Sequence, residues 1–271
     1  MKKVDMHMHT NASDGTWDVN ELKNELIHNK INIFSVTDHD CIDNIKNMQD
    51  IIKLSSDNLI FIPGTELTTE YDGKEYHLTL YNFDINNKEL LQQMSWTNEN
   101  KLNSNKEYIG YASKIYENVS VEDFEKYLFD RKRGGWKSAN YMIDKGIHKD
   151  IPQHLADVYK SGLKAKLKGP DEVIRIAKKS GGKIFLAHPS YHYKNSIMPM
   201  KEMKYWTELG IDGIECFSPY NVDAKYYVDF CKSNNLMISG GSDCHGNFIP
   251  SRKLGVPNVS LEDLDIKKLL D

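Results

Sequence analysis

Potential metal ligands recur beside predicted strands, and this recurrence constrains the fold more than any other feature of the sequence. His7 and His9 end the first apolar segment. Residues two apart in an extended segment project to the same face, so both imidazoles can reach one ion. Further candidates begin or follow later apolar segments, at His39, Glu66, His77, His188, Asp243 and His245. A hydrogen-bonded core histidine explains any single one of these positions but not their recurrence at strand ends.

Strands and helices alternate in both halves of the chain. Strands are predicted over residues 3–9, 31–37, 59–65, 76–83, 183–187, 211–216 and 236–240. Helices are predicted over 19–29 and 42–54, and another begins at Pro170 and ends before Gly181. Such alternation indicates a parallel sheet, and parallel barrels build their sites from the carboxyl ends of different strands. We therefore expect one α/β domain over 1–271 whose ligands converge on one face.

Residues 87–169 depart from this alternation and show helical patterns only. We interpret them as a helical insertion within the domain. Ser120 and Asp123 resemble a capping box at the start of one helix. The insertion also contains a basic run over residues 131–137, which contrasts with the net charge of −4 for the whole chain.

The composition narrows the class of protein. With 39% hydrophobic and 27% charged residues, the chain has no apolar run near the ~18 residues of a membrane span and no secretory signal at its start, so we expect a cytoplasmic location and no membrane partner. The four cysteines lack the paired spacing of a zinc ribbon or disulfide framework. A negative net charge gives no general attraction to nucleic acid, which favours a small substrate over a stable nucleic-acid partner.

The donor types indicate which metals would bind. Imidazole and carboxylate ligands without thiolates suit manganese, zinc or iron rather than a closed structural site. Asp14 is ambiguous on this basis, because aspartate before glycine is also an ordinary turn residue.

These residues resemble the motifs of the polymerase and histidinol phosphatase (PHP) family of metal-dependent phosphoesterases. The resemblance runs through nearly the whole barrel portion and fills all nine expected ligand positions. The matching pieces are His7 and His9, Ser13-Asp14-Gly15, Thr37-Asp38-His39-Asp40, Gly64-Thr65-Glu66, His77, His188, and Asp243-Cys244-His245. It implies a distorted seven-stranded (β/α) TIM-like barrel that holds two or three divalent ions.

The resemblance also implies how the ligands are shared, with Asp14 as a ligand and Glu66 bridging two ions. The three implied sets are His7, His9, Glu66 and Asp243; Glu66, His77 and His188; and Asp14, His39 and His245. Asp38 and Asp40 are then candidates for carboxylates that orient the imidazoles.

The implied reaction is hydrolysis of a phosphomonoester by metal-activated hydroxide. Asp243 is a candidate to orient or deprotonate the water. His192, near His188 in sequence, is a candidate to contact the phosphate or protonate the leaving oxygen. The cations that are candidates to hold the rest of the substrate are Arg131, Arg133, Lys137, Lys194 and Arg252.

Several substrates are compatible with these motifs. The segments around Asp14 and Asp38 most resemble stand-alone phosphatases of nucleotides, including 3′,5′-bisphosphonucleosides. One alternative substrate is histidinol phosphate. Another is a short oligonucleotide, on which the protein would act as an exonuclease. A metal-binding regulatory module without turnover is an alternative of another class, and the complete ligand set argues against it, because a decayed site is expected to lose ligands.

Overall fold

The computed structural model describes residues 1–193 and 196–270, which contain nine strands and nine α-helices. The strands are β1 (Lys3–Asp5), β2 (Ile31–Phe34), β3 (Ile60–Phe61), β4 (Gly64–Tyr71), β5 (Lys74–Tyr81), β6 (Lys183–Leu186), β7 (Gly213–Phe217), β8 (Met237–Gly240) and β9 (Val259–Ser260). The helices are α1 (Val19–His28), α2 (Ile45–Lys53), α3 (Lys88–Ala112), α4 (Val121–Lys126), α5 (Lys137–Asp144), α6 (Ile151–Ser161), α7 (Pro170–Lys179), α8 (Met200–Glu208) and α9 (Ala224–Ser233).

The strands form two sheets. The first has the order β3-β2-β1-β9 and is parallel except for β9. The second has the order β4-β5-β6-β7-β8, in which β4, β5 and β6 are successively antiparallel and the remaining pairs are parallel. The structure is thus a mixed α/β fold rather than the all-parallel arrangement that the alternation predicts.

The two sheets do not close into the predicted TIM-like barrel. The edge of β1 that would meet β8 is paired with β9, and the edge of β2 that would meet β4 is paired with β3. Beyond these ladders the sheets are joined by contacts that include parallel bridges from Met8 to Cys244 and from His39 to Glu66. These bridges fix the positions of the residues after β1, β2 and β8.

The predicted strand over 59–65 is broken into β3 and β4 at Pro63. A proline has no backbone N–H to donate to a ladder, so it interrupts regular pairing. β4 and β5 then form a hairpin whose turn residues, Asp72 and Gly73, have φ angles of 51° and 70°. Asp-Gly favours such turns, and this signal was available in the sequence.

Helices α3 to α6, with a 3₁₀ helix at Arg131–Arg133, occupy the segment predicted to be an insertion. Their buried residues form a small core of their own that includes Tyr108, Phe124 and Tyr141. The main core lies between the second sheet and helices α7, α8 and α9. Within the described residues, none of the helices is long and apolar enough to span a membrane.

Candidate metal centre

The carboxyl ends of strands β1, β2, β6 and β8 meet on one face of the molecule. The predicted ligands that follow them are His7 and His9 after β1, His39 after β2, His188 after β6, and Asp243 and His245 after β8. Their side chains are buried, except that of His39, which is half-buried. Parallel strands place their carboxyl ends together, so residues distant in sequence become neighbours here.

Glu66 and His77 reach the same face by a different route. Glu66 is the third residue of β4 rather than the end of a strand, and it bridges to His39. His77 lies on the antiparallel strand β5 opposite Thr68, two residues from Glu66. Residues two apart on a strand share a face, so the two side chains meet, with Nδ1 of His77 3.3 Å from Oε1 of Glu66.

The ligand atoms fall into three overlapping groups, each with all atoms within 4.8 Å of one another. The groups are His7, His9, Glu66 and Asp243; His9, Asp14, His39 and His245; and His39, Glu66 and His77. The first group is the set that the PHP resemblance implies, and the second adds His9 to an implied set. His188 joins through its Nε2 atom, 3.0 Å from Oε1 of Glu66.

The Glu66 carboxylate lies at the centre of this cluster. Its oxygens are 3.0–3.3 Å from ring nitrogens of five imidazoles, those of His7, His9, His39, His77 and His188. Burial alone would raise the pKa of Glu66, but the imidazoles of His7, His39 and His77 outweigh it and hold the pKa well below its usual value. For His39, burial prevails and lowers the pKa well below the ordinary range.

Nε2 of His7 and Nδ1 of His39 lie 3.1 and 3.3 Å from Oε2 of Glu66, yet none of these three buried atoms makes a hydrogen bond of acceptable geometry among the described residues. An unpartnered buried polar atom is costly, and such atoms normally have a partner, an ordered water or an ion. Imidazoles and carboxylates without thiolates are donors suited to manganese, zinc or iron. The residues present therefore fit divalent metal ions.

Glu215 belongs to the site but was missed by the sequence interpretation. This buried residue of β7 has Oε1 3.1 Å from Nδ1 of His7 and accepts a 2.6 Å hydrogen bond at Oε2 from the backbone N–H of His188. A carboxylate that binds the second ring nitrogen of a ligand histidine fixes its tautomer and orientation. The available signal was a glutamate within an otherwise apolar buried strand.

Asp38 and Asp40 make no direct hydrogen bond, among the described residues, to the imidazoles that the sequence interpretation expected them to orient. Asp38 accepts hydrogen bonds from the backbone and hydroxyl of Thr10 and from the hydroxyl of Ser13. Asp40 accepts from the backbone of Thr68 and from Nζ of Lys101 at 3.1 Å. Asp38 approaches a ring through Ser13, whose hydroxyl lies 3.5 Å from Nδ1 of His9. Both carboxylates secure segments that carry the predicted ligands.

A cavity of about 90 Å³ opens above the cluster, and Arg252 lies on its wall. Nη1 of Arg252 is 2.8 Å from Oδ2 of Asp243, and its guanidinium lies 4.9 Å from the ring centroid of Tyr220. The Tyr220 hydroxyl donates to the same oxygen of Asp243 at 3.1 Å. Of the predicted cations that the structure describes, Arg252 is the one that bonds to a predicted ligand.

The other predicted cations are distributed differently. Arg131 and Lys137 line an adjacent cavity of about 420 Å³. Arg133 instead forms a two-point ion pair with Asp144, at 2.7 and 2.8 Å, so its guanidinium is directed toward α5 and not into this cavity. Lys194 lies outside the described residues.

His192 lies beside Tyr76 and Tyr191, with ring centroids 4.5 and 5.0 Å away, and is not among the described residues that line the 90 Å³ cavity. Burial, assisted by the imidazoles of His188 and His77, lowers the pKa of His192 to about 4. An imidazole with this pKa is neutral at pH 7, which disfavours the predicted role as a proton donor to the leaving oxygen.

Two ligand residues adopt a left-handed backbone, with φ of 51° at Asp243 and 28° at His188. This region is costly for residues other than glycine and persists only where the surrounding structure imposes it. Here the backbone N–H of Asp243 donates to the carbonyl of His7, and the N–H of His188 donates to Glu215. Both bonds hold the ligand backbones in place.

No protein-family profile matches the chain. Among curated proteins, the chain is similar to the 5′-3′ exoribonuclease Rnm of Escherichia coli K12, with 24% identity over 255 residues that cover 89% of the chain and 84% of the enzyme. A 5′-3′ exoribonuclease of Haemophilus influenzae is also 24% identical, over 90% of each chain.

Solved structures show the same fold. A candidate metal-dependent phosphoesterase from Bifidobacterium adolescentis superposes with a TM-score of 0.78 at 19% identity, covering 98% of this chain and 93% of that one. A two-domain protein from Bacteroides vulgatus, containing a predicted PHP-like metal-dependent phosphoesterase, superposes with a TM-score of 0.53 at 16% identity, covering 100% of this chain and 62% of that one. These similarities confirm the prediction of a hydrolytic enzyme of the phosphoesterase class, and the chain has the fold of the PHP-like metal-dependent phosphoesterases.

Proposed function

We propose that the chain hydrolyses a phosphate ester at the 5′-terminal nucleotide of a short RNA, with a 3′,5′-bisphosphonucleoside as its smallest substrate. The observation that carries this proposal is the overlap of three ligand groups on the floor of a cavity whose wall holds Arg252. The adjacent cavity of about 420 Å³ gives room for a nucleoside beside the reacting phosphate.

The E. coli relative widens the substrate class predicted from the sequence. That enzyme is a 5′-3′ exoribonuclease, whereas the motifs alone favoured a small nucleotide. The two substrates share one chemistry, because the ester at the 3′ oxygen of the 5′-terminal nucleotide is present both in an oligonucleotide and in a 3′,5′-bisphosphonucleoside. One site can therefore act on both.

The three ligand groups would each hold a divalent ion through at least one carboxylate and one imidazole. Bound ions of this kind supply an activated water and neutralise charge on the phosphoryl group. Glu66, which belongs to two of the groups, would be shared between neighbouring ions.

Asp243 is held so that its two oxygens have separate partners. Oδ2 accepts from Arg252 and Tyr220, while Oδ1 lies 3.1 Å from Nε2 of His9. This arrangement leaves Oδ1 facing the ligand group, which suits a ligand and orienting role better than a proton acceptor. Arg252 is the residue that we assign to the phosphoryl oxygens, since its planar fork suits phosphate.

The test is turnover by the metal-loaded protein on a panel of a 5′-phosphorylated RNA, a 3′,5′-bisphosphonucleoside, histidinol phosphate and an aryl phosphate. We expect the RNA and the bisphosphonucleoside to be the best substrates. Arg252→Gln should raise KM for them roughly tenfold or more, the usual cost of a hydrogen bond to a charged group. Arg175→Gln, on the surface of α7, is the matched control.

The metal content of the same samples shows whether a lack of turnover occurs in metal-loaded protein. A protein with its metal sites filled that leaves the whole panel intact would contradict the proposed function. Preferred turnover of histidinol phosphate would contradict the nucleotide assignment while keeping the phosphoesterase class.

A further inference from the structure

A groove leads from the metal centre along the helical insertion. The cavity of about 420 Å³ shares Asp14, His39, His77 and Trp136 with the cavity above the ligands. A further cavity of about 250 Å³ shares Glu75, Lys101, Asn105 and Trp136 with it. We call the second and third cavities together the insertion groove. It continues beyond the cavity of about 420 Å³ in which the proposed function places the nucleoside of the reacting nucleotide.

Trp136 stands where the groove joins the metal centre, since it lines all three cavities. The preceding Gly134 and Gly135 have φ of 72° and 69°, and a Cβ at either would lie 2.6 Å from the Phe248 side chain. The N–H of Gly135 also donates to the carbonyl of Asp14 at 2.8 Å. This close approach of the glycines holds the indole, which is 38% exposed, at the mouth of the groove.

The side chains of the four cations in the basic run point in two different directions. Lys132 lies 3.1 Å from Glu21, and Arg133 pairs with Asp144, so both of these cations are neutralised by carboxylates. The other two cations of the run, Arg131 and Lys137, line the groove, as does Lys101, which pairs with Asp40.

Arg131 and Lys137 have only backbone carbonyls as hydrogen-bond partners among the described residues, those of Asn11 and Ala12 for Arg131 and that of Glu125 for Lys137. Nζ of Lys137 also lies 4.9 Å from the ring centroid of Phe124. Within the described residues neither cation is paired with a carboxylate, so both charges are available to an anion in the groove. The insertion as a whole adds to this field: residues 87–169 carry 15 Lys and Arg against 11 Asp and Glu, a net charge of +4, although the whole chain carries −4.

We propose that the insertion groove binds the single-stranded continuation of an RNA whose terminal nucleotide lies at the metal centre. Trp136 stacks on a base, and Arg131 and Lys137 contact backbone phosphates. This inference rests on the proposed function, and it adds the path of the strand and the residues that hold it. A cationic groove with an aromatic platform is the usual means of holding a single strand without reading its sequence.

Binding is tested by fluorescence anisotropy with a labelled single-stranded RNA hexamer on the protein without added metal. Trp136→Ala should weaken binding about 5- to 150-fold, and Trp136→Phe should restore much of the loss, because stacking needs an aromatic face. Arg131→Gln and Lys137→Gln should each reduce the salt slope of log K by about 0.7, the value for one phosphate contact on a single strand. Lys132→Gln, from the same run, should match wild type.

A second measurement uses turnover by the metal-loaded enzyme. We expect KM to fall as the RNA lengthens from two to six nucleotides, and Trp136→Ala to abolish that dependence. Equal KM for both lengths, or equal effects of Lys132→Gln and Lys137→Gln, would overturn the groove assignment even if all substrates are hydrolysed. Failure of turnover with hexamer binding as described would instead count against the proposed function alone.

Competition against the labelled hexamer shows which class of ligand the groove binds. Polyglutamate that displaces the hexamer at equal charge concentration would assign the groove to acidic polypeptides and overturn the proposal. Duplex RNA that binds as tightly as the single strand would also overturn it, because paired bases cannot stack on Trp136.

Discussion

At the scale of the residue, Glu215 connects two loops of the metal centre. One of its oxygens faces the ring of His7, and the other accepts the N–H of His188, whose backbone is left-handed. A carboxylate that fixes both a ring orientation and a strained loop influences metal affinity without touching the substrate.

Glu215→Gln should therefore lower metal affinity about 10- to 100-fold, because the amide is neutral and offers only one acceptor oxygen. Titration of the metal-free protein by calorimetry measures this, with circular dichroism to confirm that the fold is retained. Glu208→Gln, at an exposed position on α8, is the control and should bind metal as wild type does. Unchanged affinity in Glu215→Gln would contradict the positioning role.

At the scale of the element, replacing glycine by alanine should change the free energy of unfolding in opposite directions at two positions. Gly73 closes the β4–β5 hairpin with a left-handed backbone, whereas Gly110 is in the interior of α3. A Cβ at Gly110 would lie 3.6 Å from Val121, an ordinary contact.

Gly73→Ala should lower the free energy of unfolding by about 1 kcal/mol or more, since alanine is strained at positive φ. Gly110→Ala should raise it by roughly 0.5–1 kcal/mol, because glycine is a poor helix former. Urea denaturation of both variants measures the difference. Loss of stability in both would show that packing beside α3 outweighs helix propensity.

The insertion also contains a buried histidine pair that links α5 to α6. Nδ1 of His154 lies 3.2 Å from Nδ1 of His148, Nε2 of His154 lies 3.2 Å from the Ser138 hydroxyl, and Nε2 of His148 lies 3.2 Å from Asp157. Burial, with the charge of His148, lowers the pKa of His154 from 6.5 to about 4. Both rings are neutral at pH 7 in this arrangement.

Acidification should destabilise the protein through this pair. An unfolded His154 takes up a proton near pH 6.5, whereas the folded residue does so only near pH 4, so stability is lost as the pH falls between these values. At pH 5 this contribution is about 1–2 kcal/mol. His154→Gln should lose correspondingly less stability between pH 7 and pH 5 than wild type, measured by denaturation at each pH. The exposed His28→Gln should follow wild type, and an identical pH response in His154→Gln would exclude the pair as its source.

At the scale of the whole molecule, the metal centre joins the two sheets. His7, His9 and His39 follow strands of the first sheet, whereas Glu66 and Asp243 come from strands of the second. Ions held between them would cross-link parts of the chain that belong to separate strand ladders.

Adding manganese or zinc at about 100 times the dissociation constant should stabilise the fold by about 2.7 kcal/mol. For a chain of 271 residues this corresponds to a rise in Tm of roughly 5–10 °C, measured by calorimetry. Glu66→Gln should lose most of this rise, since Glu66 belongs to two ligand groups. A rise of equal size in this variant would place the stabilising ion elsewhere.

The sequence by itself predicted the histidines and most of the carboxylates that converge at the site, although not Glu215. Ligands such as His7, His39 and Asp243 follow apolar strands, and this local pattern, with the rule that parallel strands end together, was enough to predict their convergence. The helices of residues 87–169 were also predictable, because helical periodicity is local.

Only the tertiary structure decided how the strands pair and in which direction the side chains of the site point. β9 and β3 occupy the strand edges that a closed barrel would pair. Glu215 contacts His7, which is 208 residues away in the sequence. Arg133 pairs with Asp144, whereas Lys137 lines the groove. Strand pairing, carboxylate partners and the direction of a long cationic side chain all depend on residues distant in sequence. Their free energies compete over the whole fold, so a local pattern cannot fix them.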